Sequence, residues 1–191
     1  MLIMPKSCLL HFPKTGGTWA KEAIKRSGIL SEEYRINDDP HIGIKHCPYP
    51  EKYKIAFVRH PVELYRSYWQ YKMGAGWDIR NDLDGTCGSQ DFHEFVRKVL
   101  YNYPGVCSRA FDDFFGPPGN EIEFIGRYEN LVDDLVRALK NAGEIFDETS
   151  VRGLPPQNVG NRVLFPAEYT PELERAVKES ERVGMERFGY C

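Results

Sequence analysis

Residues 9–19 constrain the fold more than any other part of this 191-residue chain. They read Leu-Leu-His-Phe-Pro-Lys-Thr-Gly-Gly-Thr-Trp: an apolar run that predicts a buried strand, then a lysine and two adjacent glycines, then the start of a helical pattern. Glycines let backbone N–H groups approach an oxyanion closely, and the following helix offers unpaired N–H groups and a positive dipole end. Lys14 adds a full charge. The segment therefore predicts an anion-binding loop between a strand and a helix.

A second basic strand end follows about forty residues later. Residues 54–59 predict a strand that ends in Arg59, and Pro61 suits the first position of the next helix. An arginine at this point can grip a phosphate with two parallel N–H···O bonds. Ser67 reaches the same anion only if the chain folds back. Two such sites favour a ligand with two separated phosphates.

Strand and helix patterns alternate along the chain, which predicts an α/β fold with a central parallel sheet flanked by helices. Ligands of such sheets bind at the carboxyl ends of the strands, where both basic segments lie. We expect a single domain over residues 1–191, with 74–120 as an insertion on the acceptor side. Residues 74–90 are rich in glycine and aspartate and predict a long loop. The strands are expected at 8–12, 42–45, 54–59 and 122–126, and the helices at 18–27, 61–73, 92–100, 107–115, 131–142 and 170–183.

Composition narrows the class of protein. Hydrophobic residues make up 41% and charged residues 28%, as in soluble globular proteins. No apolar run is long enough to span a membrane, and the first residues lack the pattern of a signal peptide, so we expect a cytoplasmic protein or a chain without its targeting segment. The net charge is −3, yet the basic residues gather around the two candidate anion sites. Without an extended basic stripe with interleaved aromatics, a nucleic-acid partner is not expected.

The five cysteines are odd in number and form no C-x-x-C pair, so neither a disulfide framework nor a zinc site is predicted. We expect Cys8 to be a core residue. No metal-binding cluster is apparent elsewhere in the sequence.

A histidine beside a phosphate pocket is a candidate general base. His46 follows the expected strand at 42–45 and is the first candidate, with Lys45 as an assisting group. His41 is the second candidate. His11, His60 and His93 are interpreted as core or surface residues.

Together these segments resemble the sulfotransferases that use 3′-phosphoadenosine-5′-phosphosulfate (PAPS). Residues 13–19 are similar to their 5′-phosphosulfate loop, and residues 59–69 to their 3′-phosphate motif, with the same arginine-to-serine spacing. Lys45-His46 followed by Pro48 resembles the Lys-Thr-His-Leu-Pro segment that carries the family's catalytic histidine, with one residue missing. Residues 127–131 are similar to a Tyr-Glu-Asp-Leu segment, and residues 186–190 to the ending of bacterial and carbohydrate sulfotransferases.

The resemblance implies a fold like that of P-loop nucleotide hydrolases and transfer of a sulfuryl group from PAPS to an acceptor hydroxyl, leaving 3′-phosphoadenosine 5′-phosphate (PAP). It assigns the phosphosulfate to Lys14 and to the backbone N–H groups of Thr15, Gly16, Gly17 and Thr18. Arg59 and Ser67 would hold the 3′-phosphate, and His46 would take the acceptor proton. No metal is required. Trp19 either stacks on the base or packs in the core.

The C-terminal nucleotide-binding segment of the family is absent from this sequence. Residues 159–162 are the candidate replacement, with Arg162 expected near the adenosine. It also leaves the acceptor open, with a glycan or small hydroxylated metabolite favoured. Two other functions are retained: a kinase or nucleotide hydrolase with a variant P-loop, and a non-catalytic module that binds PAP or another anion. The lysine of a Walker A loop follows its glycines, whereas Lys14 precedes Gly16 and Gly17.

Overall fold

The computed structural model describes residues 1–119, 122–156 and 164–191. The chain divides into two compact units, Met1–Arg59 with Asp112–Asn158, and His60–Phe111 with Val159–Cys191. The strands are β1 (Leu2–Ile3), β2 (Ser7–Leu9), β3 (Glu32–Glu33), β4 (Tyr53–Val58) and β5 (Phe124–Arg127). The helices are α1 (Gly17–Arg26), α2 (Pro61–Ala75), α3 (Asp82–Cys87), α4 (Phe92–Asn102), α5 (Val106–Phe115), α6 (Leu131–Asn141), α7 (Glu148–Arg152), α8 (Pro171–Ser180) and α9 (Arg182–Arg187).

The first unit contains a mixed sheet with the strand order β3-β1-β2-β4-β5. The neighbouring strands β2, β4 and β5 are parallel, with Leu9 opposite Ile55 and Ile55 opposite Phe124. The other two strands run antiparallel to their neighbours: β1 pairs with β2 and with β3. The α/β class is confirmed, but the sheet is mixed, and the expected parallel pairing is limited to β2, β4 and β5.

The antiparallel edge arises because the chain reverses immediately after β1. Met4 N–H donates to the Ser7 carbonyl oxygen at 2.9 Å, which closes a tight turn with Pro5 at its second position. This position of a turn favours proline, because the φ angle of proline is already fixed near the value that the turn needs. A strand of two residues has too little sequence pattern to be recognised before its pairing is known.

The expected strand at 42–45 is also wrong. Ile44–His46 forms one turn of 3-10 helix, with His46 N–H donating to the Gly43 carbonyl oxygen at 3.1 Å. A Cβ atom added at Gly43 would lie 3.0 Å from the carbonyl oxygen of Phe114. The close packing of this glycine against α5 therefore fixes the start of the 3-10 turn. The parallel neighbour of β2 in the sheet is β4, not a strand at 42–45.

The hydrophobic core of the first unit lies between the sheet and helices α1, α6 and α7. Leu9, Ile55 and Phe57 from the parallel strands are at most 1% exposed. Their helical partners in the core are Trp19, Ala20, Ala23, Ile24, Leu135, Val136, Ala138, Leu139 and Val151. Cys8 is also fully buried, as expected. This packing fixes α1 against the sheet, directly after the loop that carries Lys14.

The second unit is helical in its described part. Its buried Glu181 accepts hydrogen bonds from the Tyr65 hydroxyl and from the backbone N–H groups of Cys107 and Ser108. The expected loop at 74–90 contains α3, whose first turn is capped by Asn81. Asp84 in this helix is buried, accepts from the Tyr68 hydroxyl and pairs with Lys72, which accounts for helical order in a glycine-rich segment. None of the described helices is long and apolar enough to cross a membrane.

Candidate functional site

The carboxyl ends of the three parallel strands lie side by side in the first unit. The chain leaves β2 into the loop that carries Lys14, leaves β4 at Arg59 and leaves β5 at Tyr128. These three positions come from segments more than forty residues apart in sequence. The order of the strands is therefore what brings the two predicted basic positions to one edge of the sheet.

The loop between β2 and α1 has an unusual backbone. Lys14 has φ 65° and Gly16 has φ 85°, both in the left-handed region. For a lysine this conformation is strained and is commonly found where function requires it. Backbone that turns through left-handed residues can direct successive N–H groups toward one point, which forms a concavity for an anion.

Both glycines of the loop are required by their neighbours. A Cβ atom added at Gly16 would lie 2.5 Å from Cδ2 of Leu131, and one added at Gly17 would lie 1.8 Å from Cδ2 of His11. Larger side chains at either position would displace these groups. The glycines thus permit close packing of the loop as well as the approach of a ligand to the backbone.

The first turn of α1 lacks both a side-chain cap and an acidic residue. Other helices differ: Asp91 caps α4 and Thr170 caps α8 with side-chain oxygens. The N–H groups at the start of a helix need acceptors, and its dipole favours negative charge there. The start of α1 is therefore suited to bind an oxyanion supplied from outside the chain.

Arg59 lies at this site. Its side chain is buried, and its Nη1 donates to the Lys14 carbonyl oxygen at 3.3 Å. The guanidinium lies 4.1 Å from the centre of the Tyr128 ring, in the geometry of a cation–π contact. Burial, together with the positive charge of Arg59, lowers the pKa of the Lys14 ammonium. Two cations held in a partly buried site are suited to an anionic ligand.

Two other side chains of the loop are used within the protein. The Thr15 hydroxyl is buried and donates to the Phe12 carbonyl oxygen at 2.9 Å. The Trp19 ring belongs to the core, and its Nε1 donates to the carbonyl oxygens of Leu154 at 3.4 Å and Pro155 at 3.2 Å. Core packing is thus the interpretation of Trp19 that the contacts support. Thr18 is exposed in the first turn of α1.

Four further residues are predicted for the site. Lys45 and His46 are both exposed on the 3-10 turn of the first unit. Ser67 is half-buried on α2, in the second unit. Arg162 lies outside the described residues. The roles assigned to these four residues remain predictions.

A pair of histidines lies beside the loop, and no local sequence pattern indicates it. The His11 ring lies against the Cα position of Gly17, and the centres of the His11 and His41 rings are 4.6 Å apart. Burial, followed by the nearby His41, lowers the pKa of His11 to about 3. His11 is therefore neutral at physiological pH. The two rings are thirty residues apart, so no local spacing reveals their contact.

No family model, curated protein or solved structure matches this chain. Among the residues whose positions are described, no group of three or more His, Cys, Asp or Glu side chains is arranged to hold a metal ion. The function proposed below therefore depends on the geometry of the loop and on the motif resemblance.

Proposed function

We propose that this protein is a PAPS-dependent sulfotransferase. The observation that carries the proposal is the meeting of Arg59 with the Lys14 loop at the uncapped start of α1. Lys14 and the backbone N–H groups are suited to the phosphosulfate of the nucleotide, and Arg59 beside them is suited to its 3′-phosphate. The order of the motifs favours PAPS over other anions.

In the proposed reaction an acceptor oxygen attacks the sulfur of PAPS in line with the departing 5′-phosphate. Negative charge accumulates on the phosphate oxygen as its bond to sulfur breaks. Lys14 and the N–H groups from Thr15 to Thr18 would stabilise this charge, because donors already fixed in position need no reorganisation during the reaction. Arg59 and Ser67 would hold the 3′-phosphate, and the acceptor would be a glycan or a small hydroxylated metabolite.

The test compares nucleotides for their effect on thermal unfolding. PAP is expected to raise the melting temperature, because a ligand that binds only the folded state stabilises it. A nucleotide without the 3′-phosphate, adenosine 5′-phosphosulfate, should stabilise less. Stabilisation by ATP with Mg²⁺ but not by PAP would contradict the proposal and favour the kinase or hydrolase.

Two variants test the cations. Lys14→Met removes the charge while keeping the length of the side chain, and is expected to lower PAPS turnover by roughly 10²–10³-fold. Arg59→Lys keeps a charge but loses the planar fork, so PAP should bind more weakly while adenosine 5′-phosphosulfate changes less. Arg152→Ala is the matched control, since it removes an exposed guanidinium that pairs with Asp133 and Glu148. Equal losses in all three variants would contradict the assignment.

A further inference from the structure

The His41 ring is held in one orientation by a main-chain carbonyl group. Its Nδ1 lies 2.8 Å from the carbonyl oxygen of His11, and its own backbone N–H donates to Oδ1 of Asp39 at 2.8 Å. The ring is half-buried and packs against the His11 ring, which in turn lies against Gly17. His41 is therefore separated from the start of α1 by a single side chain.

This hydrogen bond fixes the tautomer of His41. A carbonyl oxygen can only accept, so Nδ1 of His41 must be the donor and must carry the proton. In the neutral ring Nε2 then holds the lone pair. A general base needs an unprotonated nitrogen with a fixed direction, and the His11 carbonyl provides both conditions.

His46 lacks a comparable arrangement. It is exposed, and no hydrogen bond to its ring is found within residues 1–119, 122–156 and 164–191. After His46 the chain continues to the amino end of β2, where the Lys52 ammonium donates to the carbonyl oxygens of Met4 and Pro5. The family motif would select His46, whereas the contacts select His41.

We infer that His41, rather than His46, is the general base of the site and that the His11 main chain positions it. The inference rests on the proposed function. The acceptor hydroxyl would lose its proton to Nε2 of His41 as its oxygen bonds to sulfur. The electron pair of the breaking S–O bond stays on the 5′-phosphate of PAP, and the imidazolium then releases its proton to water.

The decisive variant is His41→Asn. The Asn amide nitrogen can take the place of Nδ1 and donate to the His11 carbonyl, but the side chain has no basic nitrogen. We expect unchanged thermal stability, PAP affinity close to that of the wild type, and a fall in kcat of roughly 10²–10⁴-fold. Turnover is measured as PAP released from PAPS, with phenols, sugars and water as acceptors.

His46→Asn tests the competing assignment, and His93→Asn is the matched control. The His93 ring also meets a main-chain carbonyl, that of Glu168 at 2.7 Å, but has no assigned role. We expect full turnover in the control. Loss of turnover in His46→Asn with an active His41→Asn enzyme would overturn the inference and leave the proposed function intact.

A second readout does not depend on turnover. Nitrogen-15 NMR of the histidine rings should show His41 with its proton on Nδ1, and PAP should shift the His41 signals more than those of His46. A proton on Nε2 of His41 in the free protein would overturn the inference.

The wild-type protein tests the proposed function itself. A wild-type chain that binds PAP but releases none from PAPS would overturn both the inference and the enzymatic function, and would favour the non-catalytic module. Absence of PAP binding would overturn the proposed function and the inference with it.

Discussion

At the scale of single residues, the contact between Gly17 and His11 links the fold to the candidate site. The imidazole occupies the space that a side chain at position 17 would need, and it is buried. The same ring packs against His41. A substitution of Gly17 or His11 should therefore be detected first as a change in the stability of the protein.

Gly17→Ala is predicted to destabilise the protein by about 1–3 kcal/mol, because the added methyl group overlaps the His11 ring. Urea denaturation measures the effect. Gly74→Ala is the control: nothing lies within 4 Å of a Cβ atom there, so an exposed helical alanine should be neutral or slightly stabilising. In the double variant with His11→Ala, the cost of Gly17→Ala should be smaller. Additive losses in the double-mutant cycle would show that the two residues do not interact.

His11 is also predicted to make stability depend on pH. Burial lowers its pKa to about 3, below the 6.5 of an unperturbed histidine. Between these values the unfolded chain binds a proton at His11 that the folded chain does not, so stability falls as the pH is lowered. From pH 6.5 to pH 5 this contribution amounts to about 1–2 kcal/mol. His11→Gln should remove it, as measured by urea midpoints at both pH values; parallel profiles of the two proteins would contradict the prediction.

At the scale of elements, Glu144 joins the end of α6 to the start of β2. One carboxylate oxygen accepts from the Lys6 backbone N–H at 2.8 Å and from the Ser7 hydroxyl at 2.7 Å. The side chain is buried, and the Lys6 ammonium donates to the Gly143 carbonyl oxygen beside it. These bonds fix α6 against the strand that leads to the Lys14 loop.

Glu144→Ala is therefore expected to destabilise the protein by about 1–3 kcal/mol, because it leaves a buried hydroxyl and N–H without their acceptor. Chemical denaturation again measures the change. The comparison is Glu148→Ala, which removes exposed ion pairs with Lys140 and Arg152 and should leave the stability nearly unchanged. Similar losses in both variants would argue against a specific role for Glu144.

The elements also show what the sequence can predict. Strand β4 and helix α1 lie within one residue of their expected bounds, because a long apolar run and a regular helical pattern report burial directly. Strand β1 was missed, since its pairing depends on a turn rather than on its own two residues. Likewise, Lys14 and Arg59 could be placed at strand ends from local patterns. The hydrogen bond from the His41 ring to the His11 carbonyl oxygen could not be predicted, because the two residues are thirty positions apart and a main-chain acceptor leaves no side-chain pattern.

At the scale of the whole molecule, the cysteines provide a test of folding. Cys8 and Cys107 are buried, whereas Cys191 is exposed. Burial and the neighbouring Cys47 raise the pKa of Cys8 to about 12, which suppresses the reactive thiolate. Iodoacetamide at pH 8 is expected to modify Cys191 first and to leave Cys8 and Cys107 unmodified, as read by mass spectrometry. In urea all five should react. Early modification of Cys8 in the native protein would contradict the structure of the sheet.

The burial of Trp19 has a practical consequence. Of the three tryptophans in the chain, Trp69 and Trp77 belong to the second unit, and Trp19 alone lies in the first. Replacing the other two with phenylalanine would leave a single indole chromophore in the opening turn of α1, bonded to the carbonyl oxygens of Leu154 and Pro155. Its emission would then report, without any added dye, on the helix whose start is the candidate anion site.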